Sequence, residues 1–170
     1  MLLTQQPRSD EAALVRAAQA GDRAAFGSLY AQFARMVHGI LLAHVSYTDA
    51  EDLMQDVFLR AMEQLTVLRD FGAFGGWLAS IARRAAFDHH RRIHLLTDLP
   101  DALPGGERPD GEAFEVLAVI RGLPESYRET LVLRLVEGMT GPEIAARTGL
   151  THSSVRVNLC RGMKLLRERL

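Results

Sequence analysis

Between Thr140 and Leu170 the chain reads TGPEIAARTGLTHSSVRVNLCRGMKLLRERL, and few backbone arrangements satisfy it. Pro142 suits the first turn of a helix, where a missing N–H costs nothing. Ile144, Ala145 and Ala146 carry that helix on, and Gly149 supplies a residue that can turn left-handed and stop it. Thr151 then caps a second helix. At about 100° per residue, Val155, Leu159, Met163, Leu166 and Leu170 share one face of it. Ser153, Ser154, Val157, Cys160, Arg161 and Lys164 lie opposite, with Arg156 at the flank. From Thr151 onward there are five basic residues and one acidic, a local charge of +4. A short helix, a glycine turn and a polar, basic second helix make a helix-turn-helix, which lays one helix in a DNA major groove. The same pattern also fits a helical hairpin packed elsewhere with its basic residues solvated.

The rest of the chain is helical by the same periodicity. Ser9 or Asp10 can cap a first helix that Gly21 ends near Ala20. Asp22 caps a second, running to about His44 and burying Phe26, Leu29, Tyr30, Phe33, Val37, Ile40 and Leu41. Thr48-Asp49-Ala50-Glu51 has the form of a capping box, and the helix behind it buries Met54, Phe58, Ala61, Leu65 and Leu68. Phe71 to Gly76 is glycine-rich, a loop or a frayed helix start. A fourth helix carries Phe74, Trp77, Leu78, Ile81, Ala82 and Ala85 on one side and ends in His89-His90-Arg91-Arg92. These form one helical domain, residues 9–92. Residues 93–112 hold three prolines and three glycines, a linker. A second domain, 113–170, has one helix to about Arg121, another from Pro124 to about Val136, and the helix-turn-helix. With no strand pattern or long-period repeat, the expected fold is all-α: two small helical domains on a flexible linker.

Composition narrows the function. No apolar run approaches the roughly 20 residues of a membrane span, so no membrane insertion is expected, and the N-terminus lacks the form of a secretion signal. Cys160 is the only cysteine, which excludes an internal disulfide and points to a reducing cytoplasm. The six His have no Cys or acidic partners at metal-ligand spacing, so neither a metal nor a cofactor is expected. The net charge of −1 is unevenly spread: residues 1–92 balance, the linker carries −4, and residues 113–170 carry +3. A basic patch, rather than the total, is what binds phosphate.

Two further faces bear chemistry. Asp49, Asp52, Asp56 and Glu63 align on one side of the third helix, where like charges repel. They suit either a solvated face whose early acids favour the helix N-terminus or a docking surface for a basic partner. The fourth helix sets Arg83, Arg84, Phe87, His90 and Arg91 beside its apolar stripe, behind Phe71 and Phe74. Cations for phosphates with aromatics for unstacked bases describe a single-strand binding surface.

DAEDLMQDVFLRAM at 49–62 and FGGWLASIARRAAFDHHRR at 74–92 resemble the promoter-melting domain of a bacterial sigma factor. LPESYRETLVLRLVEGMTGPEIAARTGLTHSSVRVNLCRGMKLLRERL at 123–170 resembles the C-terminal domain of the same family, and two domains on a short linker resemble its extracytoplasmic-function (ECF) group. The resemblance implies a non-enzymatic subunit that binds core RNA polymerase at the clamp coiled coil and flap, reads two promoter elements and helps open DNA. It implies docking on the clamp by Asp49, Asp52 and Asp56. Phe71, Phe74, Arg83, Arg84, His90 and Arg91 would hold the non-template strand of the melted upstream element. Ser153, Ser154, Arg156, Val157, Arg161 and Lys164 would read the distal element as duplex. An anti-sigma protein, often membrane-tethered in the family, is implied as the control. Arg84 stands where the family usually has Asn, Met62 where it often has Trp, and Val157-Asn158 where Ser-Arg is frequent, so promoter preference does not transfer. A conventional helix-turn-helix regulator with a dimerising or sensing N-terminal domain is the alternative, which the acidic 49–62 motif tells against. An interaction module that has lost promoter function is a third reading, which the basic faces tell against.

Overall fold

The structure, a computed structural model, describes residues 6–96 and 111–170; most of the acidic Pro/Gly segment expected as the linker lies outside them. Among the described residues there are eight α-helices and no strand. α1 (Gln6–Gln19) begins ahead of the expected Ser9 or Asp10 cap, with Pro7 in its first turn. Gly21, at φ 95°, turns the chain into α2. α2 (Arg23–Leu42) is capped by Asp22, whose carboxylate accepts the Ala24 and Ala25 N–H groups at 2.9 and 3.1 Å. It buries Leu29, Phe33, Met36, Val37, Ile40 and Leu41. Tyr30, expected inside, stays 43% exposed with its ring tilted over Phe58.

α3 (Tyr47–Gln64) corrects the expected cap. Ser46, in extended backbone, accepts the Asp49 N–H at 3.2 Å, so Thr48 already lies within the first turn. The buried stripe includes Leu53 and Val57, while Met54 and Leu68 are half-buried. α3 packs against both α2 and α4, so its buried face is broader than a single line of residues. Two 3-10 turns, Leu65–Val67 and Phe71–Ala73, lead into α4 (Phe74–Leu96). α4 stays helical past Arg92, because Leu95 and Leu96 are good helix formers and no breaker intervenes.

The second unit comprises α5 (Glu112–Arg121), α6 (Glu125–Leu135), α7 (Gly141–Thr148) and α8 (His152–Arg169). Thr140 and Glu143 form a reciprocal box: Glu143 N–H donates to Thr140 Oγ1, and the Thr140 N–H donates to the Glu143 carboxylate at 2.7 Å. That backbone N–H, with the Thr140 hydroxyl, holds the Glu143 carboxyl below its ordinary pKa. Gly149, at φ 77°, stops α7, and Thr151 caps α8. Val155 and Leu166 are buried on α8, whereas Leu170, expected on the apolar face, is 70% exposed at the chain's last position. Between them Gly162 is buried: a Cβ there would stand 3.0 Å from the Leu131 side chain, so the glycine lets α8 cross close to α6. The units pack on each other through α2 against α6 and α7, and α4 against α7, and their apolar residues form one continuous core.

Candidate functional site

Packing of Val155, Gly162 and Leu166 fixes the rotation of α8. As a result Ser153, Ser154, Arg156, Val157, Arg161 and Lys164 all face solvent together, as expected from their spacing. Ser154 also serves the cap, its N–H donating to Thr151 Oγ1 at 3.1 Å and its hydroxyl accepting from Thr151 at 2.8 Å. Val157 is 38% exposed, an apolar spot of the kind that meets a thymine methyl among cations that meet phosphate. Asn158 is half-buried. Arg156→Ala and Arg161→Ala should each weaken binding to promoter duplex. A lost phosphate contact lowers affinity for all sequences and reduces the salt slope by about 0.9, whereas a lost base contact costs about 1–3 kcal/mol at one position. Fluorescence anisotropy across a salt series separates the two, and parental binding by both variants would reverse the orientation assigned to α8.

On α3, Asp52 and Asp56 are exposed on one face. Asp49 does not join them as a free acid. It accepts the Ser46 hydroxyl at 2.6 Å and lies 3.3 Å from His89 Nε2, tied to the start of its own helix. Leu59, seven residues after Asp52 and 53% exposed, continues the acidic line with an apolar side chain. Apolar area inside a charged face suits a docking surface; its position in the stripe was the signal in the sequence.

α4 divides the residues that the sequence grouped. Phe74 is fully buried, edge-on to Phe33 at 5.0 Å and 5.8 Å from Trp77. It is a core residue, which corrects its assignment to the DNA face. It opens α4 on the same side as Leu78 and Ala82, the face that packs against α2, so the helical period turns its ring into the core. Phe71 is half-buried, with the Arg16 guanidinium 5.5 Å from its ring. Arg83 points to α6, where its Nε and Nη2 grip the Glu129 carboxylate at 2.8–3.0 Å. This ion pair holds the guanidinium pKa above its ordinary value against the opposing effect of burial. His90 is exposed, with Nε2 2.7 Å from the His44 carbonyl oxygen. Arg84 and Arg91 remain open, and between them at helical spacing stands Phe87, 63% exposed. Arg91 also lines a shallow groove with Arg60, Asp88, Arg92 and Leu95. The exposed aromatic among the cations is therefore Phe87. Phe87→Ala should cost about 1–3 kcal/mol of single-strand affinity while leaving the unfolding midpoint in place; unchanged oligothymidylate binding would remove Phe87 from the face.

Residues 29–94 match the family model of sigma-70 region 2, and residues 113–166 match that of sigma-70, region 4. The ECF RNA polymerase sigma factor SigD of Mycobacterium tuberculosis is 31% identical over 173 residues, spanning 92% of this chain and 82% of that protein. The chain belongs to the ECF sigma factors of the sigma-70 family. The ECF sigma factor BldN of Streptomyces coelicolor is 31% identical over 169 residues, 90% of this sigma factor but 63% of BldN. In fold, this sigma factor resembles the sigma factor RpoE solved with the anti-sigma factor NepR from Bartonella quintana, at a TM-score of 0.54 and 20% identity over 82% of this chain and 91% of that one. α1 begins ahead of the region 2 match, and the region 4 match takes in α7 and α8 up to residue 166, short of the last residues of α8.

Proposed function

We propose that this sigma factor docks on core RNA polymerase through Asp52, Asp56 and Leu59 of α3. The melted upstream element lies along Arg84, Phe87 and Arg91 of α4. The distal element takes α8 in its major groove, against Ser153, Ser154, Arg156, Val157, Arg161 and Lys164. Phe71 and His90 border the strand path, and Asp49 supports the docking helix from its first turn. The observation that carries this reading is the separation of opposite charges: an exposed acidic line on α3, and exposed cations with an aromatic on α4 and along α8. Acids repel DNA and suit a basic protein partner, while the other two faces suit a stripped strand and a duplex. The domains behind this division are residues 9–92 and 113–170. No helix among the described residues is long and apolar enough to cross a membrane, and the work belongs in the cytoplasm, where polymerase is. A separate anti-sigma protein is the proposed control. The fold likeness to a sigma factor solved with such a partner supports it. In vitro transcription with core polymerase over a genomic fragment library tests the whole: discrete start sites dependent on this chain are expected, whereas duplex binding without initiation would favour a conventional regulator.

A further inference from the structure

Arg83 and its neighbour Arg84 have the same chemistry and opposite surroundings. Arg84 is exposed. The Arg83 fork closes on Glu129, whose carboxylate also lies 3.1 Å from His44 Nε2. Burial would push the Glu129 carboxyl up, but hydrogen bonds from His44 and Arg83 outweigh it and hold the pKa below the ordinary range, so the group is ionised at neutral pH. A guanidinium gripping two oxygens of a carboxylate uses the donors with which it would grip two oxygens of a phosphate.

Around this pair the two units are fitted closely. Glu137 of the second unit lies 2.5 Å from His38 Nδ1, and its carbonyl oxygen accepts from Arg35. Arg121 donates to the Leu42 and Val45 carbonyl oxygens just where α2 runs out of internal partners. Gly39 allows Leu133 against α2, since a Cβ there would be 2.6 Å from Leu133 Cδ2, and a Cβ at Gly75 would collide with the Arg147 carbonyl oxygen. Tight glycine contacts, one bidentate ion pair and single histidine–carboxylate contacts across one face make a built interface between α2 and α4 on one side and α6 and α7 on the other.

We infer that this interface is a self-docked resting state in which Glu129 stands in for a DNA phosphate at Arg83, so that closing the chain and binding the melted strand compete for the same guanidinium. It rests on the proposed strand path along α4 and adds to it a contact that the closed chain withholds. Opening frees Arg83 to join Arg84 and Arg91, and it also frees the two units to meet separate promoter elements.

Cys160 is exposed and is the only cysteine, so Gln55→Cys, at an exposed position on α3, gives a pair of spin labels on the full chain, one in each unit. The otherwise unaltered labelled chain should show one narrow distance distribution. Glu129→Arg with Glu137→Arg should broaden and lengthen it with helical content preserved; an unchanged distribution overturns the closed state. Glu129→Gln, the milder variant, should raise affinity for a short oligothymidylate by about three- to tenfold and steepen its salt slope by about 0.7, one phosphate contact. Adding Arg83→Ala should cancel both gains. Labels that separate without any gain in strand affinity, or a gain that survives Arg83→Ala, overturn the competition. Neither result touches the strand path itself, which the Phe87→Ala measurement judges independently.

Discussion

Phe74→Ala is expected to lower the unfolding free energy by about 3–5 kcal/mol, the usual cost of emptying a fully buried phenylalanine site. The ring is completely enclosed, meets Phe33 edge-on and adjoins Trp77, so nothing can collapse into its place without disturbing α2 as well. Against a total stability of about 5–15 kcal/mol, that loss is large enough to unfold part of the population at moderate temperature. Urea denaturation should show the midpoint falling with the slope unchanged, and Phe74→Leu should recover most of the loss. A Phe74→Ala variant as stable as the parent but weakened toward single-stranded DNA would return this ring to the strand face. Paired with Phe87→Ala, for which the opposite result is expected, the measurement assigns each aromatic on α4 to its work.

Asp52→Arg combined with Asp56→Arg should weaken binding to core polymerase on the order of 100-fold, taking the roughly 2–5 kcal/mol typical of charge pairs across an interface. Both side chains are exposed, so the fold should survive and circular dichroism should be parental. The loss should shrink as salt rises, because the attraction being reversed is screened over about 10 Å at 0.1 M. Leu59→Ala should weaken the same complex without that salt dependence. Asp49→Asn provides the contrast. Its carboxylate serves the start of α3 through Ser46 and His89, so about 1 kcal/mol of stability should go with little change in polymerase affinity. Full affinity in a pull-down of soluble Asp52→Arg/Asp56→Arg protein would remove α3 from the docking surface.

The helical frame was legible in the sequence because its signals are local. Asp22 and Thr151 cap where they were expected, and Gly21 and Gly149 turn left-handed. α3 was less legible at its start because Ser46 and Thr48 are equally able caps, and only the extended backbone at Ser46 distinguishes them. The solvent face of α8 was legible because a helix with one apolar stripe has only one outside. On α4 periodicity set Phe74 on the apolar side and Phe87 beside it, and the structure buries the first and exposes the second. The resemblance had also put Phe74 against the melted strand, and that assignment does not survive its burial. The acidic stripe of α3 was visible, but the withdrawal of Asp49 required His89, which α4 brings to it across the fold.

Sequence alone determined that the chain is all-helical, that it ends in a helix-turn-helix with an outward basic face, and that its acids gather on α3. Caps, glycine turns and the 3.6-residue period depend on groups within a few residues of each other, so they survive any later arrangement of the helices. Tertiary structure decided the partner of each charged side chain. Arg83 and Arg84 are adjacent in sequence, about 100° apart around one helix. Which of them meets a carboxylate and which meets water depends on where α6 lies. Glu129 is 46 residues from Arg83 along the chain. No local rule reaches that far, because such contacts form only when packed helices bring distant side chains within a few ångströms.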